Sequence, residues 1–166
     1  QEVGGCDFAI EFVDGYRFRV AIFRQRGMIG MVLRRIPSGF LTFEQIGMPE
    51  AIKRLITRPR GLLLVTGPTG SGKTTMLSCC AGELDPSLRV VVAEEVFEAD
   101  VPVANVASMQ TRAARADRPS VDLRRLVSGF LRMAPDIAIV GEVRDREALP
   151  LLLTLSSGVK GYTTIH

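Results

Sequence analysis

The chain contains 166 residues, of which 46% are hydrophobic and 23% charged; this is enough apolar material for the core of one medium-sized domain and argues against a disordered chain. Its net charge of +3, with 6% aromatic residues and no Trp, argues against a nucleic-acid-binding protein, which needs denser positive charge and stacking side chains. Cys6, Cys79 and Cys80 lack the spacing of a metal clamp or a disulfide framework, so we expect reduced thiols.

The first predicted element is a β-hairpin. Residues 7–13, DFAIEFV, and 16–23, YRFRVAIF, alternate apolar and polar side chains around the turn signal Asp14-Gly15. A three-residue loop, Asp14 to Tyr16, places Phe12 opposite Phe18 and Glu11 opposite Arg19, whereas a two-residue loop mixes the faces. Because a slip of one residue moves every side chain to the other face, we expect the longer loop.

A linker and a short helix follow the hairpin. Pro37-Ser38-Gly39 begins a predicted linker that extends to residue 48. Within it, Thr42 and Gln45 have the spacing of a capping box. Pro49 then opens a predicted helix that continues to about Arg58.

From residue 61 onward, short apolar runs alternate with helical patterns. This arrangement is typical of a parallel sheet that is covered on both faces. The predicted strands are 62–66, 89–93, 137–140 and 162–165, and the predicted helices are 72–84, 122–133 and 147–156. Ser120 is the predicted cap of the second helix. Its predicted buried stripe is Leu123, Leu126, Val127, Phe130 and Leu131.

The segment between the first of these strands and the first helix matches the phosphate-loop pattern G-x-x-x-x-G-K-[ST]. Its residues are Gly67, Pro68, Thr69, Gly70, Ser71, Gly72, Lys73, Thr74 and Thr75. Glycines let backbone N–H groups turn toward phosphate oxygens, and the start of the following helix adds free N–H groups and a positive dipole end. Lys73 suits the β- and γ-phosphates, and Thr74 suits Mg²⁺, so we expect ATP and Mg²⁺ as ligands. The alternative is a plain glycine-rich turn.

Two carboxylates follow predicted strands. Glu94 comes directly after strand 89–93, and Glu142 comes after strand 137–140 and Gly141. Because the carboxyl ends of parallel strands meet at one edge of a sheet, both are expected beside the phosphate loop. Glu94 is the candidate that orients an attacking water, and Glu142 is the candidate for the Mg²⁺ shell, directly or through a water. The alternative for each, as for Glu95, is a solvated loop carboxylate.

Three arginines are candidates for countering the charge that develops on a transferred γ-phosphate, namely Arg112, Arg132 and Arg144. Arg132 also suits the last turn of the predicted helix 122–133, where a cation interacts favourably with the dipole. The basic run from Arg112 to Arg118 has a solvated loop as its alternative.

Together these motifs resemble the secretion and pilus motor ATPases, the ring ATPases of type II and type IV secretion and of type IV pili. RFRVAIFRQRG and the stretch from LRRIPSGF through GPTGSGKTT look most like the pilus retraction ATPases, and DLRRLVSGFLRMAPDIAIVGEVRDREAL and GYTTIH fit the family broadly, with LRM-PD and GEVR leaning toward its tight-adherence branch. The resemblance implies an α/β RecA-like P-loop core over 49–166, cut short at its C-terminus. Before it would come the end of a small α+β N-terminal domain, 1–36, and the linker 37–48.

The resemblance also implies roles for single residues. Glu94 and Glu95 fall on the family's acidic box, with Glu94 as the catalytic carboxylate, and Glu142 falls on its second acidic motif. His166, at the end of the histidine box, is a candidate γ-phosphate sensor. Five arginines of the first 35 residues are implied to reach a nucleotide: Arg17, Arg19, Arg24, Arg34 and Arg35.

The function implied by the resemblance is that of a Mg-dependent ATPase powering pilus assembly, pilus retraction or protein secretion. Its implied partners are identical subunits in a homo-hexamer and a platform protein of the inner membrane, at the cytoplasmic side, with no nucleic acid. One alternative is a P-loop ATPase that translocates nucleic acid. Another is a scaffold that binds nucleotide without hydrolysing it, which is suggested by Glu95 where the family usually has Asp and Val159 where it often has His. Because the sequence opens without Met and stops within a predicted strand, we expect a fragment of a longer protein.

Overall fold

The computed structural model describes residues 5–36, 39 and 41–165. They divide into two compact units, one formed by 5–36, 39 and 96–98, the other by 41–95 and 99–165. The predicted linker begins with Pro37 and Ser38, which lie outside the described residues, as does Phe40. Among the helices of the described part, none has the length and apolarity that a membrane span requires.

The first unit contains a three-stranded antiparallel sheet. Its strands β1 (Cys6–Glu11), β2 (Arg17–Gln25) and β3 (Met28–Ile36) are arranged in the order β1-β2-β3. The predicted hairpin is therefore present as β1 and β2, and a third strand, which the sequence pattern did not indicate, completes the sheet.

The hairpin loop has the predicted length but a different position. It comprises residues 13–15, because the N–H of Phe12 already bonds to the carbonyl of Tyr16 at 2.9 Å. Glu11 pairs with Arg17, so the predicted pairing of Glu11 with Arg19 was wrong by two residues. Gly15 explains the position: its φ of 75° is the left-handed conformation that ends such a loop, and glycine adopts it without steric cost. A shift of two residues keeps the same side chains on each face.

The turn between β2 and β3 explains why the third strand was missed. Arg26 and Gly27 have φ values of 51° and 78°, which fits a two-residue hairpin turn with both central residues left-handed. Asn-Gly or Asp-Gly is the usual sequence signal of this turn, and Arg-Gly does not give it.

The second unit is a parallel sheet with helices on both faces. Its elements are α1 (Glu50–Ile56), β4 (Leu62–Thr66), α2 (Lys73–Gly82), β5 (Val90–Glu94), β6 (Val106–Gln110), α3 (Leu123–Ser128), β7 (Ile137–Val143), α4 (Ala148–Ser156) and β8 (Lys160–Ile165). The strand order is β4-β8-β7-β5-β6, and every neighbouring pair is parallel. The carboxyl ends of β4, β5 and β7 therefore lie at one edge, as expected.

Strand β5 shows how the core is divided between the two faces of this sheet. Val90 and Val92 belong to a cluster with Leu77 of α2, whereas Val91 and Ala93 belong to a cluster with Val127 of α3. Alternate residues of a strand point to opposite faces, so both faces bury apolar side chains. This is why β5 reads as one uninterrupted apolar run.

Strand β6 was absent from the prediction. It lies at the edge of the sheet, where β5 is its one partner among the described residues, and its residues are partly or fully exposed. An edge strand that is not buried on both faces needs no continuous apolar run, and Ser108 interrupts this one.

The predicted helix 122–133 is shorter than expected. The α-helix ends at Ser128, and a 3₁₀ turn, Phe130–Met133, follows. Phe130 is buried as predicted, but Leu131 is 46% exposed, because the tighter turn departs from α-helical spacing. Asp122 caps the helix by accepting the N–H of Arg125 at 2.8 Å, so the prediction of Ser120 as the cap was wrong.

The predicted capping box is confirmed. The N–H of Thr42 donates to Oε1 of Gln45 at 2.8 Å, and the N–H of Gln45 donates to Oγ1 of Thr42 at 3.3 Å. Only about one turn forms, since Gly47 has φ 69°, and the chain then enters α1.

Candidate active site

The phosphate loop joins β4 to α2 at the carboxyl edge of the sheet. Gly67, Gly70 and Gly72 have φ values of 152°, 82° and 90°, a region that L side chains rarely adopt. A Cβ on Gly67 would lie 2.7 Å from Oγ of Ser71, while Gly70 and Gly72 face open space. Backbone conformation therefore favours glycine at all three positions, and at Gly67 an added Cβ would also have to displace the hydroxyl of Ser71.

Lys73 lies over this loop. Its Nζ donates to the carbonyl oxygens of Gly67 at 2.7 Å and of Pro68 at 3.1 Å. These contacts place an ammonium beside the glycine-rich backbone, where a phosphate chain would need positive charge.

Helix α2 supplies further donors. Its first backbone hydrogen bond runs from the N–H of Met76 to the carbonyl of Gly72 at 2.9 Å. The N–H groups of Lys73, Thr74 and Thr75 come before it and have no acceptor within the helix. Together with the positive end of the helix dipole, they make this end suited to an anion.

Glu94 is the last residue of β5, at the same edge of the sheet. Its side chain is buried, with 4% of the residue exposed, and Oε1 accepts the N–H of Ala99 at 2.9 Å. The loop that follows β5 therefore folds back onto this carboxylate. Burial with a fixed donor suits a group that must orient a water molecule.

Gly141, on the neighbouring strand β7, makes room for Glu94. A Cβ at position 141 would lie 2.8 Å from Cγ and 3.2 Å from Oε1 of Glu94. The carbonyl of Gly141 accepts the hydroxyl of Thr164 from β8 at 2.5 Å. Gly141 thus leaves room for the carboxylate of Glu94, and the next residue, Glu142, supplies a second carboxylate.

Glu142 and Glu95 are drawn together by Arg144. The guanidinium donates to Oε2 of Glu142 through Nε, at 2.9 Å, and through a terminal nitrogen, and it donates to Oε2 of Glu95 at 3.1 Å. Arg144 is thereby placed among the carboxylates at the ends of β5 and β7, and its contact with a γ-phosphate stays a prediction.

Glu147 was not among the predicted site residues. Its Oε1 accepts the backbone N–H groups of Arg144 and Asp145. Burial opposes ionisation of this carboxyl, but the backbone donors and the charge of Arg144 outweigh it and hold the pKa of Glu147 below its ordinary value. Glu147 comes directly before α4 but makes no side-chain cap bond to that helix; its carboxylate accepts N–H groups that precede it, and the N-cap position therefore gave no signal of these contacts.

Magnesium fits this site only with oxygen atoms from a nucleotide and water. No group of three or more His, Cys, Asp or Glu residues in the described ranges is arranged to hold a metal ion by itself. Mg²⁺ is ordinarily held by one or two protein groups with phosphate oxygens and water. Thr74, in the first turn of α2, and Glu142 are protein groups of the type required.

Comparison with known proteins gives the family. The sequence pattern described as "Type II/IV secretion system protein" matches residues 6–166. The chain belongs to this family. It is 37% identical over 163 residues to the type IV pilus retraction ATPase PilT of Pseudomonas aeruginosa, covering 96% of this chain and 46% of PilT. It is 31% identical over 163 residues to the twitching motility protein of Neisseria gonorrhoeae, covering 96% of this chain and 43% of that protein.

Two similar solved structures have the same fold. The pilus retraction motor PilT with bound ADP matches with a TM-score of 0.84 at 28% identity, covering 99% of this chain and 48% of that one. The ATPase DotB of Legionella pneumophila matches with a TM-score of 0.79 at 27% identity, covering 98% of this chain and 47% of that one. The predicted RecA-like α/β core is thereby confirmed. The chain spans about half the length of these secretion-family relatives.

The arginines predicted to counter charge on a γ-phosphate lie in different places. Arg112 is exposed beyond the end of β6, where it exchanges backbone hydrogen bonds with Val121. Arg132 lies in the 3₁₀ turn shortly before β7 begins. That is the amino edge of the sheet, opposite the phosphate loop of the same chain. The prediction that Arg132 meets a γ-phosphate did not specify which subunit binds the nucleotide, and it stays a prediction. Its exposed position at the end of the turn fits the dipole interpretation.

Four of the five arginines implied by the family resemblance in the N-terminal segment have contacts within the first unit. Arg17, Arg19 and Arg34 bond to residues 97 and 98, and Arg35 packs over the ring of Tyr16 at 4.5 Å. His166, the candidate sensor, lies outside the described residues, directly after β8.

Proposed function

We propose that this chain is part of a motor ATPase that hydrolyses Mg·ATP to ADP and phosphate. The observation that carries the proposal is the arrangement at one edge of the parallel sheet. The phosphate loop, with Lys73, follows β4, and Glu94, whose carboxylate is buried, is the last residue of β5. Binding groups for a phosphate chain and a group able to orient water are thus both present. The ADP bound to the PilT relative supports nucleotide as the ligand.

Each residue of the site has a distinct role in this proposal. The N–H groups of residues 73–75 and the ammonium of Lys73 bind and orient phosphate oxygens. Glu94 orients the attacking water and accepts its proton, and Glu142 with Thr74 would hold the metal. When bound, Mg²⁺ supplies charge neutralisation at the transferred phosphoryl group. Arg112 and His166 are further candidates for contacting that group.

We further propose that the protein works as a homo-hexameric ring with an inner-membrane platform protein, at the cytoplasmic side, without nucleic acid. Pilus retraction, twitching motility and secretion are the activities in the names of its relatives. In such a ring, hydrolysis in one subunit would shift it against its neighbour and move pilin or a secreted substrate.

The first test is phosphate release from Mg·ATP by the complete protein, with Lys73→Ala beside it. Removing the ammonium is expected to abolish nucleotide binding, because the phosphate charge is then left uncompensated at the loop. Phosphate release should therefore be lost in this variant. Lys53→Ala is the matched control, since it removes the same charge from α1, where Lys53 pairs with Glu83 at 2.7 Å. Full activity of Lys73→Ala would contradict the proposed site.

The ring is tested by measuring the same rate against protein concentration. Sites completed by a neighbouring subunit predict a specific activity that rises with concentration. A constant specific activity in a protein that stays monomeric would contradict the ring. Binding of ATP without any phosphate release would instead support the scaffold alternative, and stimulation by DNA would support nucleic-acid translocation.

A further inference from the structure

The loop after Glu94 is held at two places by different parts of the chain. Glu94 and Ala99, at its two ends, are joined by the hydrogen bond from the N–H of Ala99 to Oε1 of Glu94 at 2.9 Å. The next amide, that of Asp100, donates to Oγ of Ser78 in α2 at 3.2 Å. The conformation of this loop therefore determines where the donor to Glu94 lies.

The middle of the loop, Val96–Glu98, belongs to the unit formed by the three-stranded sheet. Oε1 of Glu98 accepts from Arg19 at 2.7 Å and from Arg34 at 2.9 Å. The carbonyl of Phe97 accepts from Arg17 at 3.1 Å. We call these three arginines the sheet arginines. They lie on β2 and β3, on one face of the sheet, because Arg19 and Arg34 are paired across the two strands and Arg17 is two residues from Arg19.

The contact with Glu98 is a network rather than a single surface pair. Arg19 also donates to Asp7 of β1, through Nε at 3.1 Å and through a terminal nitrogen at 2.6 Å. The side chains of Arg19 and Glu98 are only 31% and 28% exposed. Partly buried, multiply bonded charges are screened less and hold a defined geometry better than an exposed pair.

We propose that the sheet arginines are positioning residues for Glu94, acting through Val96–Glu98. They fix the middle of the loop, the loop places the N–H of Ala99, and that N–H orients the carboxylate. Loss of their hydrogen bonds to Glu98 would displace Glu94 through the peptide bond between Glu98 and Ala99 and the hydrogen bond from the N–H of Ala99. The inference rests on the proposed role of Glu94 in hydrolysis, and it gives the sheet a function distinct from direct contact with the nucleotide.

The test is Glu98→Gln in the complete protein, with Asp14→Asn as the matched control. Both changes remove one negative charge from the same unit, but residue 14 lies in the hairpin loop between β1 and β2. Glu98→Gln is expected to lower kcat for ATP about 10- to 100-fold, because a small displacement of a catalytic group has effects of that size. The KM for ATP should stay within about twofold, since the phosphate loop is untouched. The control should change neither.

Two further measurements separate positioning from a general loss of structure. In a Glu94→Gln background, Glu98→Gln should cause no additional loss of turnover, because its effect passes through Glu94. Amide hydrogen exchange of the peptide covering residues 95–100 should accelerate in Glu98→Gln while the peptide covering α2 is unchanged.

A rise in KM with unchanged kcat, an equal further loss in the Glu94→Gln background, or unchanged exchange at 95–100 would each overturn the positioning role. If the unaltered protein binds ATP but never hydrolyses it, the proposed function fails. The exchange measurement still decides in that case whether the sheet arginines fix this loop.

Discussion

At the scale of single residues, the site depends on one missing side chain as much as on its charged ones. Gly141 lets Glu94 lie across β7, where a Cβ would come within 2.8 Å of Cγ of that carboxylate. Gly141 and Glu94 are far apart in sequence. They are in contact because β5 and β7 are neighbouring parallel strands. Gly141 therefore affects the proposed role of Glu94 only because the two residues are in contact in the folded protein.

Gly141→Ala should lower turnover without preventing nucleotide binding. The added methyl group must displace the side chain of Glu94, which we expect to cost about 1–3 kcal/mol of stability from overpacking and about 10- to 100-fold in kcat. Gly82→Ala is the control, because a Cβ there meets Pro102 only at 4.0 Å. Steady-state kinetics and urea unfolding measure both effects. Normal kcat in Gly141→Ala would show that the contact does not position Glu94.

At the scale of elements, short helices depend on their ends. Helix α3 has six residues, too few to be stable by itself, and its start is fixed by the carboxylate of Asp122, which accepts the N–H of Arg125 at 2.8 Å. Behind this cap, Val127 and Phe130 pack against β5 and β7. The cap and this packing together hold the helix on its face of the sheet.

Asp122→Ala should lower the free energy of unfolding by about 1 kcal/mol, the usual cost of losing an N-cap. Ser120→Ala, at the position that the sequence pattern suggested as the cap, should stay within about 0.5 kcal/mol of the unaltered protein. Chemical denaturation of both variants makes the comparison. A larger loss at position 120 than at 122 would show that the cap is assigned to the wrong residue.

At the scale of the whole molecule, the sheet between two apolar layers determines both stability and the location of the site. One of those layers contains Cys80, whose residue is fully buried. Burial raises the pKa of its thiol from 9.0 to about 12. The unfolded chain therefore loses this proton at a lower pH than the folded protein does.

The sign of the resulting pH dependence follows from proton binding. Between about pH 9 and 12 the folded protein binds more protons at Cys80 than the unfolded chain, so stability should fall as pH rises, by at most about 1.4 kcal/mol per pH unit. Cys80→Ala should make this decline shallower. The difference between the two profiles of unfolding free energy against pH gives the part of the decline that depends on Cys80, including its charge interactions with Lys160 and Tyr162. Parallel profiles would contradict the assignment to Cys80.

Several features were predictable because their causes are local. Strand 62–66 was predicted with its observed bounds, and the capping box of Thr42 and Gln45 forms as its spacing indicated. Buried strands such as β5 show their position through an apolar run. The exposed edge strand β6 and the β2–β3 turn gave no such signal, since neither needs an apolar run or the usual turn residues. The register of the first hairpin depended on the φ of one residue, Gly15.

The amino-acid sequence by itself determined the phosphate loop and, apart from the edge strand β6, the order of strands and helices around it. The groups that bind a phosphate chain come from consecutive residues. The motif of glycines, Lys73 and Thr74 can therefore be recognised from the sequence alone. Only the tertiary structure decided which charged side chains meet. Arg132 lies at the opposite edge from the loop, Arg144 joins Glu142 to Glu95, and Arg19 binds Glu98 rather than facing Glu11. These contacts join residues that are distant in sequence or lie in turns. Charged side chains follow no periodic pattern from which their ion-pair partners could be predicted.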